Sequence, residues 1–118
     1  LGDIIFEGMA LSSIPSISPV ELSKELGSPT PPKILDVREP EELEISRLPE
    51  LVHIPLGELP ERIGELDAQA DWVVVCRSGG RSGQATGFLI SQGFKRVRNM
   101  ETGMNGYAQT VDASLPVY

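Results

Sequence analysis

The stretch 72–82, Trp72-Val73-Val74-Val75-Cys76-Arg77-Ser78-Gly79-Gly80-Arg81-Ser82, decides how the rest of the chain is read. Its four leading apolar residues form the strongest strand signal in the chain, a continuous run of the kind that central parallel strands show. The strand gives way at Cys76 to a short loop with two glycines. A helical stretch follows from Gly83 to Gln92, and Gly93 closes it. Strand, tight loop and helix together make the unit of an open parallel sheet, whose ligands sit beyond the carboxyl ends of the strands. The loop after Val75 is therefore where a site is expected.

The flanking sequence repeats the alternation. Ser16-Ile17-Ser18 reads as a short strand, and Ser18 then caps a helix that begins at Pro19, runs through Leu26 and stops at Gly27. Glu21, three residues after Ser18, completes a capping-box pattern. Ser28–Pro32 is a loop, Lys33–Arg38 a buried strand, and Glu39–Ile45 a short acidic helix. A turn at Pro49 leads to a strand over Leu51–Ile54, and Leu59, Ile63 and Leu66 have helical spacing within residues 57–67. Arg96–Met100 supplies the last strand. This order predicts an α/β fold, a single domain with a mostly parallel five-stranded sheet and helices on both faces.

At 118 residues the chain fits one domain that can bury a core without disulfides or a structural metal. Its 40% hydrophobic and 23% charged residues are those of an ordinary globular protein. The domain proper is expected over residues 14–118, with residues 1–13 a linker or lead-in. A start at Leu1 rather than methionine is expected of a processed or excised chain. Asp3 and Glu7 interrupt the opening apolar residues, so no signal peptide is expected, and no apolar run approaches bilayer-spanning length. No membrane partner is implied.

The net charge of −7 argues against nucleic acid as a partner. The charge is unevenly spread: Arg77, Arg81, Lys95, Arg96 and Arg98 fall between Cys76 and Arg98 with no acidic residue among them. A positive site for an anionic substrate or an acidic partner is expected there. One cysteine excludes an internal disulfide, and one cysteine with one histidine cannot make a tetrahedral zinc site. A lone free thiol suits a reducing compartment, which points to the cytoplasm.

A lone cysteine is most often a small buried hydrophobe. Three features around Cys76 reverse that reading. A helix start places partial positive charge and unpaired N–H groups beside it. Arg77 and Arg81 add full charges, and Gly79 and Gly80 let the loop curl so that backbone N–H groups converge on one centre. All three favour thiolate over thiol. The glycines also invite a phosphate-loop reading, but G-x-x-x-x-G-K-[ST] is absent. Cysteine-dependent phosphatases share the layout and need Cys-x5-Arg to surround a tetrahedral phosphate. Here Arg81 gives Cys-x4-Arg and Ser82 stands at the phosphatase position. The ring is one residue short and suits a single sulfur atom better. His53, the one histidine, lies in a strand before Pro55, and a thiolate already formed needs no base.

These motifs resemble the rhodanese-like sulfurtransferase domain over residues 14–118. Asp36-Val37-Arg38 resembles the family's Asp-Val-Arg strand, the stretch Val74 to Ser82 the one that carries its six-residue catalytic loop, and Gly93-Phe94 the entry to its last strand. The resemblance implies that Cys76 carries sulfur as a persulfide, with Arg77, Ser78, Gly79, Gly80, Arg81 and Ser82 binding the substrate. Arg81 would orient an anionic donor such as thiosulfate, and Asp36 and Arg38 would face the loop from outside as supporting residues. No cofactor or metal is implied. The donor would be thiosulfate or a persulfide-bearing protein. The acceptor would be cyanide in a test tube, or the adenylated carboxyl terminus of a small ubiquitin-like sulfur-carrier protein.

Two departures concern packing and the pocket rim. The family's Gly-His-Ile-Pro-Gly-Ala segment is weakened to Arg47-Leu48-Pro49-Glu50-Leu51, with His53-Ile54-Pro55 later, and its late Gly-Gly…Trp segment reads Thr102-Gly103-Met104-Asn105-Gly106-Tyr107. The closing Val111–Tyr118 resembles the end of the rhodanese domain that terminates bacterial adenylyltransferase/sulfurtransferases of molybdopterin and thiamine biosynthesis. Phosphatase or arsenate-reductase chemistry and a non-catalytic rhodanese-like binding module are the competing readings. The short loop argues against the first, and Cys76 kept together with Arg77 and Arg81 argues against the second.

Overall fold

The computed structural model describes residues 14–118, so the lead-in expected over residues 1–13 lies outside the described residues. Five strands, β1 (Ser16–Ile17), β2 (Lys33–Asp36), β3 (Val52–His53), β4 (Asp71–Val75) and β5 (Arg96–Met100), form one sheet in the order β1-β5-β4-β2-β3. Every neighbouring pair is parallel. The helices are α1 (Pro19–Leu26), α2 (Pro40–Ile45), α3 (Leu59–Arg62), α4 (Gly80–Ser91) and α5 (Gly103–Thr110). The α/β fold with helices on both faces is the one expected.

β4 lies at the centre, and its period of two divides the core. Val73 and Val75 pack with Ile34, Leu22 and Met104 on the face covered by α1 and α5. Trp72, Val74 and Cys76 pack with Leu35, Val37, Leu59 and Leu89 on the face covered by α3 and α4. Val73, Val74 and Val75 are fully buried, each stabilising the fold by roughly 1.5 kcal/mol or more. The same alternation on β2 sends Leu35 and Val37 to the Cys76 face. Asp36 therefore shares the side of Ile34, across the sheet from the cysteine.

α1 is capped as its sequence requires: the Glu21 amide donates to Ser18 Oγ at 3.2 Å, and Pro19 takes the first helical position. Besides β3, which is shorter than expected at Val52–His53, and the start of α4, three elements differ from expectation. β2 ends at Asp36 because the Arg38 amide turns to the Asp36 carboxylate at 3.0 Å instead of continuing the ladder. The helix expected over residues 57–67 is α3 flanked by 3-10 turns at Leu56–Glu58 and Ile63–Glu65, with Gly57 and Gly64 weakening its ends. α5 is an element the sequence did not announce, since Gly103 and Gly106 depress its helix propensity.

Candidate active site

Cys76 follows the last residue of β4 and is 1% exposed, so its sulfur lies on the floor of the loop. Gly79 turns the chain with φ of 105°, a left-handed conformation suited to glycine. That turn aims the Gly79 N–H at Cys76 Sγ, 3.1 Å away. α4 begins at Gly80, three residues earlier than the sequence suggested, so Gly80, Arg81 and Ser82 are its first turn. Their N–H groups have no intrahelical carbonyl to bond, and together with the helix dipole they bring positive potential to the sulfur.

Ser82 is buried with its Oγ 3.2 Å from Cys76 Sγ and 2.5 Å from Asn99 Oδ1 on β5. Asn99 Nδ2 donates to the Gly79 carbonyl at 3.2 Å, which fixes the amide so that Oδ1 faces Ser82. Because a hydroxyl has one proton and Asn99 Oδ1 accepts only, the Ser82 proton goes to Asn99. The fixed donor to the sulfur is the Gly79 amide.

The back of the loop is tied to α5. The Met104 amide donates to the Cys76 carbonyl at 2.8 Å and the Asn105 amide to the Arg77 carbonyl at 3.0 Å. Thr102 (φ 64°) and Gly103 (φ 59°), both left-handed, make the turn that brings α5 so close.

The rim of the loop is a charge network. Arg81 forms a two-pronged ion pair with Glu42 of α2, Nη1 to Oε2 at 2.7 Å and Nη2 to Oε1 at 2.9 Å. Glu42 also accepts from the Tyr118 hydroxyl at 3.0 Å and from the Glu39 amide at 2.9 Å. Arg81, aided by the Glu39 amide and Tyr118, holds the Glu42 carboxyl down at about 2 against the opposing effect of burial. The Arg77 guanidinium lies 5.1 Å from the centre of the Tyr118 ring, within cation–π range. Arg77 and Ser78 are exposed.

Asp36 and Arg38 do not line the loop. Both are fully buried and pair with each other, Arg38 Nη2 to Asp36 Oδ2 at 2.7 Å. The remaining Arg38 donors reach the Ser46 carbonyl at 2.8 Å, the Glu42 carbonyl at 3.2 Å and the Tyr118 hydroxyl at 2.8 Å. Burial disfavours charge on Arg38, but Asp36 and Tyr118 outweigh it and leave its pKa raised. The pair meets the site through Tyr118 and Glu42.

The five cations after Cys76 do not form one patch. Lys95 precedes β5 and Arg96 opens it, at the end of the sheet away from the loop, and Arg98 pairs with Glu25 at 2.7 Å and reaches Asp71 at 3.5 Å. Of the five, Arg77 and Arg81 stay at the loop. His53 Nε2 meets the Arg38 carbonyl at 2.7 Å. Among the described residues no cluster of three His, Cys, Asp or Glu side chains is placed to hold a metal ion. A groove of about 640 Å³ lined by Leu26, Pro31, Leu48 and Val52 opens at the starts of β2 and β3, the end opposite Cys76. Glu42, Asn99 and Tyr118 are site residues that the sequence reading missed. The singular tail ending in Tyr118 was the available signal for one of them; nothing local marks Glu42 or Asn99.

The family model described as the rhodanese-like domain matches residues 18–110. YrkF of Bacillus subtilis is 43% identical over 96 residues, covering 81% of this chain and 52% of that protein. The chain thus spans about half the length of this curated relative. A protein of Allochromatium vinosum named sulfurtransferase is 34% identical over 88 residues, covering 75% of this chain and 82% of that protein. The crystal structure of a rhodanese-like domain protein from Staphylococcus aureus superposes with a TM-score of 0.77 at 28% identity, covering 89% of this chain and 99% of that one.

Proposed function

The chain belongs to the family of rhodanese-like domains, and on that premise we propose that it is a sulfurtransferase that carries sulfane sulfur as a persulfide on Cys76. The relative named sulfurtransferase supports the reaction class. The observation that carries the reading is the setting of the sulfur: the one thiol of the chain, 3.1 Å from the Gly79 amide at the start of α4.

In the first half-reaction the Cys76 thiolate attacks the outer sulfur of thiosulfate. The new S–S bond forms as the old one breaks, and sulfite leaves with the electron pair. A protein persulfide serves the same way, its thiolate being the leaving group. Charge moves onto the outer sulfur within the loop, where fixed N–H dipoles stabilise it as an oxyanion hole stabilises oxygen. Cyanide then takes the outer sulfur as thiocyanate and returns the thiolate, a two-step exchange. With a small ubiquitin-like carrier protein the persulfide is instead the nucleophile: its outer sulfur displaces AMP from the carrier's adenylated carboxyl terminus to give an acyl disulfide with Cys76. Two equivalents of an external thiol then reduce that disulfide, releasing the carrier thiocarboxylate and the Cys76 thiolate. The closing Val111–Tyr118 segment supports that partner class, and a lone reduced thiol supports a cytoplasmic setting.

Intact-mass measurement after treatment with thiosulfate, and separately with a persulfide donor, tests the reading. Wild type gains one sulfur and Cys76→Ser gains none. No gain on wild type with either donor overturns it.

A further inference from the structure

The arginine best placed to receive an anionic donor is already occupied. Both terminal nitrogens of Arg81 are committed to Glu42, whose side chain is 16% exposed. Glu42 is itself held from two further sides, by the Glu39 amide on Oε2 and the Tyr118 hydroxyl on Oε1. Tyr118 is fixed in turn by Arg38 Nη1 at its hydroxyl and by Asn105 Oδ1, which accepts from its backbone amide at 2.9 Å. A sulfonate group approaching Arg81 must displace a carboxylate that Arg81, the Glu39 amide and the Tyr118 hydroxyl hold through four hydrogen bonds. The loop's other cation, Arg77, is stacked on Tyr118.

We propose that Glu42, latched by Tyr118, is an internal counter-anion on Arg81 that selects against small dianionic sulfur donors and in favour of donors that present a persulfide without a sulfonate group. This rests on Cys76 being the sulfur carrier, as proposed above. Glu42 and Tyr118 are specificity-determining residues here: neither touches Cys76 Sγ, and both act through Arg81. An ion pair of this geometry is a strong contact, since a forked arginine–carboxylate pair is roughly twice as strong as a neutral hydrogen bond. Partial exposure of Arg81 moderates its worth.

Two donors that run the same reaction with different charge test the proposal. Thiosulfate is a dianion whose leaving group is sulfite; methanethiosulfonate is a monoanion whose leaving group is methanesulfinate. Steady-state kcat/KM for each is measured on wild type, Glu42→Gln, Tyr118→Phe and Glu41→Gln. Glu42→Gln is expected to raise kcat/KM for thiosulfate roughly fivefold or more, mainly through KM, and to raise the thiosulfate-to-methanethiosulfonate ratio. Tyr118→Phe keeps the ring under Arg77 and loosens the latch, so it moves the ratio the same way by less. Glu41→Gln removes an exposed charge next door and is expected to move it less than about twofold.

Unchanged or lower thiosulfate kcat/KM in Glu42→Gln, or an equal rise in Glu41→Gln, overturns the proposal while leaving the persulfide reading intact. Intact mass on wild type separates the two, because absence of the sulfur adduct with thiosulfate and also with a persulfide donor that has no sulfonate group overturns the persulfide reading itself and this proposal with it.

Discussion

The carbonyl of Arg77 lies against the α-carbon of Gly103, with no room for a side chain between them. This contact, with the Met104 and Asn105 amides on the Cys76 and Arg77 carbonyls, sets the loop on α5. Gly103 also has a φ of 59°. Gly103→Ala therefore combines left-handed strain with overpacking against backbone, a loss of about 2–4 kcal/mol. Urea unfolding checks the stability, and the rate of Cys76 persulfide formation should fall with it. A loss under about 1 kcal/mol would show that the loop yields easily and that α5 does not fix it.

Thr102 is the one described non-glycine residue with positive φ, and it is β-branched. Left-handed backbone costs such a residue about 1–2 kcal/mol, whereas glycine adds about 0.5–1 kcal/mol of unfolded-state entropy. Thr102→Gly is accordingly expected to stabilise the protein by about 0.5–1 kcal/mol, read as a rise in Tm of a few degrees. A fall in Tm would mean that the Thr102 hydroxyl's bond to the Glu101 carbonyl outweighs the strain.

How much of this was legible beforehand follows from the range of each signal. The apolar run 72–75 and the Gly-Gly loop declare themselves locally, so β4 and the placement of Cys76 in the loop that follows it could be read directly. The 80–82 turn was misassigned to loop because glycine and serine are poor helix formers, although the first turn of α4 holds them. The roles of Asp36 and Arg38 depend on strand parity: Leu35 and Val37 point to the Cys76 face, which leaves Asp36 on the other. Arg81 looked available because its partner Glu42 lies 39 residues away, and Tyr118 lies 76 residues from Glu42. Such pairings exist only after the sheet has brought α2 and the tail to one end of the strands.

The hydroxyl of Ser82 is directed to Asn99 Oδ1 at 2.5 Å, a better acceptor than the sulfur at 3.2 Å. Ser82→Ala should thus cost stability, about 1 kcal/mol for the acceptor left without its donor. Persulfide formation should remain within about tenfold of wild type, because the Gly79 amide stays in place, whereas loss of a true oxyanion-hole donor costs 100-fold or more by order of magnitude, about 10²–10³. Single-turnover kinetics with thiosulfate decides the matter. A fall beyond about 100-fold would make Ser82 the principal donor to the sulfur.

Arg38 spends its guanidinium on Asp36, the Ser46 and Glu42 carbonyls and Tyr118, all at the buried edge of the sheet. Removing its guanidinium leaves the Asp36 carboxylate buried without a counter-charge, held only by the amide of residue 38. Arg38→Met is expected to lose about 3–5 kcal/mol, and Arg38→Lys nearly as much, because an ammonium cannot reproduce the fork. The double variant Asp36→Leu/Arg38→Met should recover part of the loss, since no charge is then stranded. Chemical denaturation of the three variants is the measurement. A double variant less stable than Arg38→Met would show that the aspartate serves the fold through its bond from the Arg38 amide rather than through the pair.

Glu42 gives the network a pH signature. Its carboxyl is held at about 2, first by Arg81, against an ordinary value of 4.5. The folded state thus binds its proton less readily than the unfolded state. The resulting stabilisation is fully present above about pH 4.5 and is lost as pH falls toward 2. With Arg81 partly exposed, the amount is on the order of 2 kcal/mol. Urea midpoints at pH 5 and pH 2.5 should therefore differ more for wild type than for Glu42→Gln, which has no proton to gain at that position. The comparison cancels the other carboxylates, because they titrate alike in both proteins. Equal pH dependence in the two would mean that the Arg81–Glu42 pair does not persist in solution, and Arg81 would then be free to receive an anion after all.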